Sequence, residues 1–324
     1  MGIKVIFVIF SISMTIILFF TVLKTDFASN TEKELKTLYN ASLAEKYISL
    51  ISKFVIEPIC SSNFIIWIVT SSANNPLQRT AVRRAYPNEM LKSLGIRRVF
   101  LLGIPKEENM WKYIFKESQI YNDLLQGSFL EDYRNLTLKH LMGLRWASKN
   151  CKATFLIKTD DDIVLNMFEV LRVLHKKEVN KNAISGYVLR KMKPVRTLNS
   201  KWFVTKEDFS GDTYPDFLSD DVYITGILRQ ECDITVEELN NFYATDYRYL
   251  ECCIQGRKKK LKCEFMAGPD GGKKELHIKF REFSEFCESN CSERMKEQLV
   301  SRTCVAAYEE KINVEDFKVQ VNYI

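Results

Sequence analysis

The chain has 324 residues, of which 46% are hydrophobic and 27% charged. That balance supports a buried core and excludes bulk disorder. The formal net charge of +6 is mild, and no arginine-rich stripe interleaved with aromatics appears, so no nucleic acid is expected as a partner. The length fits one domain of roughly 200 to 250 residues with an N-terminal extension.

Residues 1–4 hold a lysine beside the amino terminus, and Val5 to Leu23 is uncharged and strongly apolar between Lys4 and Lys24. A bilayer core of about 30 Å takes about 20 such residues in a helix, and no small-x-small cleavage site follows. The pattern predicts a transmembrane signal anchor over 5–23, with 1–4 cytosolic under the positive-inside rule and the rest luminal, in single-pass type II orientation. A cleaved signal peptide is the alternative. Residues 24–60 are polar, with Leu35, Leu38, Leu43, Tyr47 and Leu50 near one face. They read as a luminal stem, or as a short packing helix.

An apolar, β-rich run over Phe64 to Val69 predicts a buried strand. A loop over Ser71 to Pro76 and a helix over Arg79 to Tyr86 follow. Arg98 to Gly103 is a second strand and Asn109 to Glu117 a helix. Tyr133 to Ala147 is an amphipathic helix. Thr154 to Thr159 is another buried strand, a helix begins near Asn166, and Ile184 to Leu189 is a further strand. This alternation over 61–255 predicts an α/β domain with a mostly parallel sheet. Residues 256–324 change character: a basic run at Arg257 to Lys260, a plain loop at Ala267 to Gly272, then charged sequence without a clear period.

Cysteines number nine, an odd count that leaves at least one thiol without an intrachain partner. Cys287 and Cys291 lack a second Cys/His pair at finger spacing, so disulfides or free thiols are expected rather than zinc. Sequons at Asn40, Asn135 and Asn290 fit an oxidising lumen.

The strand Thr154 to Thr159 runs straight into Asp160-Asp161-Asp162. Ligands of open α/β sheets bind outside the carboxyl ends of strands. Three adjacent carboxylates there repel one another and need a positive counterpart. A solvated turn or a helix N-cap is one reading. The other is a hard divalent cation, Mn²⁺ or Mg²⁺, carrying a diphosphate.

The surrounding blocks resemble, in order, the β-1,3-galactosyltransferase and β-1,3-N-acetylglucosaminyltransferase family, glycosyltransferase family 31. They are Arg79 to Tyr86, with Tyr86 in place of Trp; Phe100 to Gly103; Glu117 with Tyr121 to Leu125; Phe129 to Lys139; Trp146, Cys151 and Lys158 to Asp162; Asn166; Lys201-Trp202; Tyr214-Pro215; and Asp221 to Gly226. Tyr133, Leu136, Leu138, Trp146 and Trp202 within them read as packing residues.

The resemblance implies a GT-A-type nucleotide-sugar-binding domain in the Golgi membrane. It implies inverting transfer of a hexose, galactose or N-acetylglucosamine, from a UDP-sugar to a glycoprotein or glycolipid hydroxyl in β-1,3 linkage. Asp160 and Asp162 would hold the metal, Asp160 and Asp161 the nucleotide side, Arg79 and Arg83 the phosphates, and Asp221 would take the acceptor proton.

The pattern breaks in two places. The segment that the family carries between Tyr-Pro and the later Asp-Val motif is absent here, since Tyr214-Pro215 is followed almost at once by Asp220-Asp221. The histidine expected after the catalytic acid has no clear counterpart, because His140 and His175 precede Asp221 and His277 lies in the unmatched tail. The alternative implied is an inactive Golgi pseudo-glycosyltransferase that binds a nucleotide sugar or a partner enzyme.

Overall fold

β-Branched and aromatic residues over Asn63–Thr70 build the central strand of the sheet. The computed structural model describes residues 20–21, 48–60, 63–176, 182–200 and 202–304. They divide into two compact units, one drawn from Met1–Asp161 and Glu178–Leu239, the other from Asp162–Lys177 and Asn240–Ile324.

The first unit is built on an eight-stranded sheet. Its strands are β1 (Phe20–Thr21), β2 (Phe54–Ile56), β3 (Asn63–Thr70), β4 (Ile96–Ile104), β5 (Leu124–Leu130), β6 (Ala153–Asp160), β8 (Ala183–Gly186) and β11 (Thr235–Glu238). Between them in chain order lie β7 (Ile163–Leu165), β9 (Val188–Leu189) and β10 (Phe217–Leu218), outside this sheet. The spatial order is β11-β8-β1-β6-β3-β4-β5-β2. β6, β3, β4 and β5 run parallel, and β8 and β11 form a second parallel pair. β1 is antiparallel to both β6 and β8, and β2 closes the other edge antiparallel to β5. The α/β expectation holds, but the sheet is mixed rather than mostly parallel, with three of its seven strand pairings antiparallel.

Parallel strands need crossovers, and the helices supply them. α1 (Pro76–Ala85) starts on a proline, which needs no N–H there, and ends on Arg83 and Arg84, which suit the negative end of its dipole. α2 (Asn88–Ser93) and α3 (Glu108–Tyr121) follow. Asp132 caps a single turn at Tyr133–Asn135 that leads into α4 (Leu136–Asn150). α4 lays Leu138, Leu141, Met142 and Trp146 into a core with Ile66, Ile68, Leu101, Leu125 and Leu156. Gly143 permits this approach, because a Cβ there would stand 2.6 Å from a Leu101 methyl. Cys60 and Cys151 form a disulfide that ties the chain ahead of β3 to the end of α4.

Phe20 and Thr21 lie inside the predicted anchor, yet their backbone is a strand, not helix. This short strand lies between β6 and β8, with Thr21 opposite Leu156 on one side and Phe20 and Thr21 opposite Ser185 and Ile184 on the other. The rest of 5–23, and most of the predicted stem, lies outside the described residues. Among the described residues no helix is long and apolar enough to cross a membrane.

The second unit contains β7, α5 (Met167–Lys176), α6 (Tyr247–Gln255), β12 (Ala267–Pro269) and α7 (Glu275–Asn290). Asn166 accepts a hydrogen bond from the Glu169 amide (3.1 Å) at the start of α5, where the sequence placed a helix start. β7 and β12 pair antiparallel. Residues 267–269 are therefore a strand, where the sequence suggested a loop. Leu276, Phe280, Phe283 and Cys287 line one face of α7 and pack with Val164, Leu250 and Cys253. That spacing of four, three and four is helical, a signal hidden by the charges between. Three disulfides, Cys252–Cys304, Cys253–Cys263 and Cys287–Cys291, cross-link this small unit, and Cys232 lies outside the four disulfides. The second unit takes in β7 and α5, which pack with the C-terminal segment.

Candidate active site

The acidic cluster lies where β6 ends. Thr70, at the end of the neighbouring β3, accepts the Asp161 amide (3.0 Å). Asp160 and Asp161 belong to the first unit, and Asp162 opens the second, where its carbonyl accepts the Asp270 amide (2.8 Å).

Asp161 is buried. One of its carboxylate oxygens accepts the Ser71 hydroxyl (2.6 Å), and its carbonyl accepts Gln78 Nε2 (3.0 Å). Burial and the neighbouring Asp160 charge push its carboxyl up to about 6, against the Ser71 bond. Asp160 is half-buried, with its side chain 40% exposed, and Asp162 is exposed.

Arg79 and Arg83 stand behind this edge, not on it. Arg79 forks onto both Glu117 oxygens (2.8 and 2.7 Å) and reaches the Ser71 hydroxyl (3.2 Å). Arg83 binds Glu117 (2.6 Å) and forks onto Asp123 (2.9 and 2.7 Å). Arg98 completes the network at Asp123 (3.2 Å). The two guanidinium groups that the sequence reserved for phosphate are thus buried and spent on protein carboxylates. Arg79 serves Asp161 indirectly, through Ser71. The bidentate match explains why arginine stands at these positions.

Asp220 and Asp221 approach the same edge from the loop before a wide-turned helix at Tyr223–Leu228. Asp221 is fully buried. Its Oδ2 accepts the Thr137 hydroxyl (2.6 Å), and its Oδ1 accepts the amides of Tyr223 (2.9 Å) and Ile224 (3.2 Å). Burial raises its carboxyl to about 6 despite these bonds. The residue expected to face an acceptor therefore caps a helix in this arrangement. Asp220 binds Lys158 through Oδ1 (2.6 Å), while its Oδ2 has no partner.

His140, on α4, is the residue that sequence reasoning set aside. Its Nδ1 lies 3.6 Å from Asp221 Oδ2 and 3.9 Å from Asp220 Oδ1, and neither ring nitrogen has a hydrogen-bond partner. Burial, then the Lys158 charge, drives the imidazole down to about 3, so it is neutral. His140, Asp160 and Asp220 converge with one ligand atom each, all within 4.8 Å of one another. Unpaired buried donors beside a half-buried carboxylate fit a divalent cation by their chemistry. His277 lies in the second unit, buried, 3.4 Å from Asp270.

Trp146 and Trp202 are buried, as packing residues should be, and the Trp202 indole donates to the Tyr133 hydroxyl (3.1 Å).

A mixed α/β sheet with carboxylates gathered at the carboxyl edge of its central strands has the architecture of a glycosyltransferase domain. The chain belongs to the Galactosyltransferase family, whose profile it matches over residues 77–255, more than half its length. Beta-1,3-galactosyltransferase 5 of Homo sapiens is 36% identical over 163 residues, covering 50% of this chain and 53% of that protein. Beta-1,3-galactosyltransferase 1 of Mus musculus is 33% identical over 171 residues, 51% of this chain and 52% of that protein. The chain thus spans about half the length of the curated relatives it matches.

Proposed function

We propose that the chain is an inverting hexosyltransferase. It moves galactose, or N-acetylglucosamine, from a UDP-sugar to a glycan hydroxyl of a glycoprotein or glycolipid, in β-1,3 linkage. The observation that carries this reading is the family match over 77–255, which takes in Asp160, Asp162 and Asp221. Asp160 and Asp162 would hold Mn²⁺ or Mg²⁺, whose charge stabilises a departing diphosphate. Asp161 would contact the nucleotide, held in place by Ser71 and Gln78. Asp221 would take the acceptor proton, exchanging its Thr137 bond for the acceptor hydroxyl. Arg79 and Arg83 support the donor side through the Glu117 network. A Golgi membrane setting with a luminal catalytic portion is supported by the apolar run 5–23 and by four disulfides, which need an oxidising compartment.

A second reading, a Golgi pseudo-transferase that binds donor without turnover, is favoured by one observation. Asp221 is buried with both oxygens engaged. The deciding experiment incubates the full chain in detergent with UDP-galactose and Mn²⁺ and follows UDP release against β-linked acceptors. Turnover abolished by Asp162→Ala and by Asp221→Ala supports the transferase. Mn²⁺-dependent UDP binding without turnover on any acceptor supports the second reading.

A further inference from the structure

We propose that His140, Asp160 and Asp220 form a divalent-cation centre of one imidazole and two carboxylates. Three observations converge on it. The imidazole is buried (1% exposed), and both its nitrogens lack a hydrogen-bond partner. Burying a polar group without a partner is costly, and a metal ion relieves that cost at whichever nitrogen it binds. Asp220 divides its oxygens, Oδ1 going to Lys158 (2.6 Å) and Oδ2 to nothing. Asp160 is 40% exposed, which gives an ion a route in and leaves coordination positions for water or a substrate oxygen.

The spacing suits an ion. Ligands about 2.0–2.2 Å from a metal stand no more than about 4.4 Å apart, and the three atoms here lie within 4.8 Å. Rotation of the half-buried Asp160 side chain closes the difference. A mixed nitrogen and oxygen set selects transition ions such as Mn²⁺, Co²⁺ or Zn²⁺ over Ca²⁺, which takes oxygen. The Lys158 ammonium contacts both carboxylates (2.6 and 3.8 Å), so a bound ion competes with it for their charge. No short motif announces this set, because His140 precedes Asp160 by twenty positions and Asp220 by eighty.

The proposal shares Asp160 with the donor-site reading and rests on it to that extent, but its test needs no nucleotide. Full-length protein in detergent, stripped with a chelator, is titrated with Co²⁺ by visible absorption and loaded with Mn²⁺ for pulsed EPR. The expected result is one high-affinity ion per chain with nitrogen hyperfine coupling. His140→Gln should lose the coupling, and His140→Gln and Asp220→Asn should each weaken binding at least ~10-fold. Circular dichroism checks that both variants fold. An ion without nitrogen coupling in the wild-type protein, coupling that persists in His140→Gln, or no ion at all overturns the centre. Galactose transfer is assayed separately. A nitrogen-bound ion without turnover sinks the transferase and not the centre, and turnover with nitrogen-free metal sinks only the centre.

Discussion

Arg79 grips Glu117 through two parallel hydrogen bonds of 2.8 and 2.7 Å, and the same Glu117 also binds Arg83. One carboxylate thus pairs with two buried guanidinium groups, and Asp123 shares the compensation of Arg83. Removing it leaves both without full compensation, and breaking a buried pair costs about 3–5 kcal/mol. Glu117→Gln is therefore expected to lower the unfolding free energy by about 3 kcal/mol in urea titrations. A change under 1 kcal/mol would show that solvent enters and screens the network.

The same residue gives stability a pH dependence. Burial alone would raise the Glu117 carboxyl, but hydrogen bonds and charge from Arg79 and Arg83 hold it below the usual range. A depressed carboxylate adds stability in full above its unfolded value of about 4.3, and that contribution is lost as pH falls through the folded value. The stability gap between wild type and Glu117→Gln should shrink as pH drops from about 5 towards 3. Acid titrations followed by circular dichroism test this, and parallel curves would refute it.

Asp221 accepts three hydrogen bonds, one from Thr137 and two from the helix that it caps. Asparagine preserves the shape and much of the cap but cannot accept a proton. For an active transferase, Asp221→Asn should lower kcat on the order of 100-fold or more while donor binding is kept. Loss of donor binding together with a lowered melting temperature would mark the residue as structural only.

Eight of the nine cysteines are paired, so one thiol per chain should react with a maleimide after denaturation without reductant, and mass mapping should place it on Cys232. Two or more labelled positions would contradict the pairing.

The Cys60–Cys151 bridge closes a separation of 91 residues. The double variant Cys60→Ser/Cys151→Ser should lose about 2–5 kcal/mol of stability, read from denaturant midpoints.

Local pattern carried much of this protein. Uninterrupted β-rich runs marked β3, β4 and β6, because strands covered on both faces show their burial in sequence. The run Asp160-Asp161-Asp162 directly after one of them marked the carboxyl edge as the place for a ligand. β5 went unmarked, since Leu124–Leu130 passes through Gln126, Gly127 and Ser128, and α7 hid its apolar face among charges. Composition could not say that Arg79 and Arg83 face Glu117 and Asp123 rather than solvent. Nor could it say that Asp221 ends as a helix cap, or that His140 meets Asp160 and Asp220. The arginine, Thr137–Asp221 and His140 contacts span 20 to 84 positions. Burial and charge compensation act on groups brought together by the sheet, and only the tertiary fold decides which groups meet.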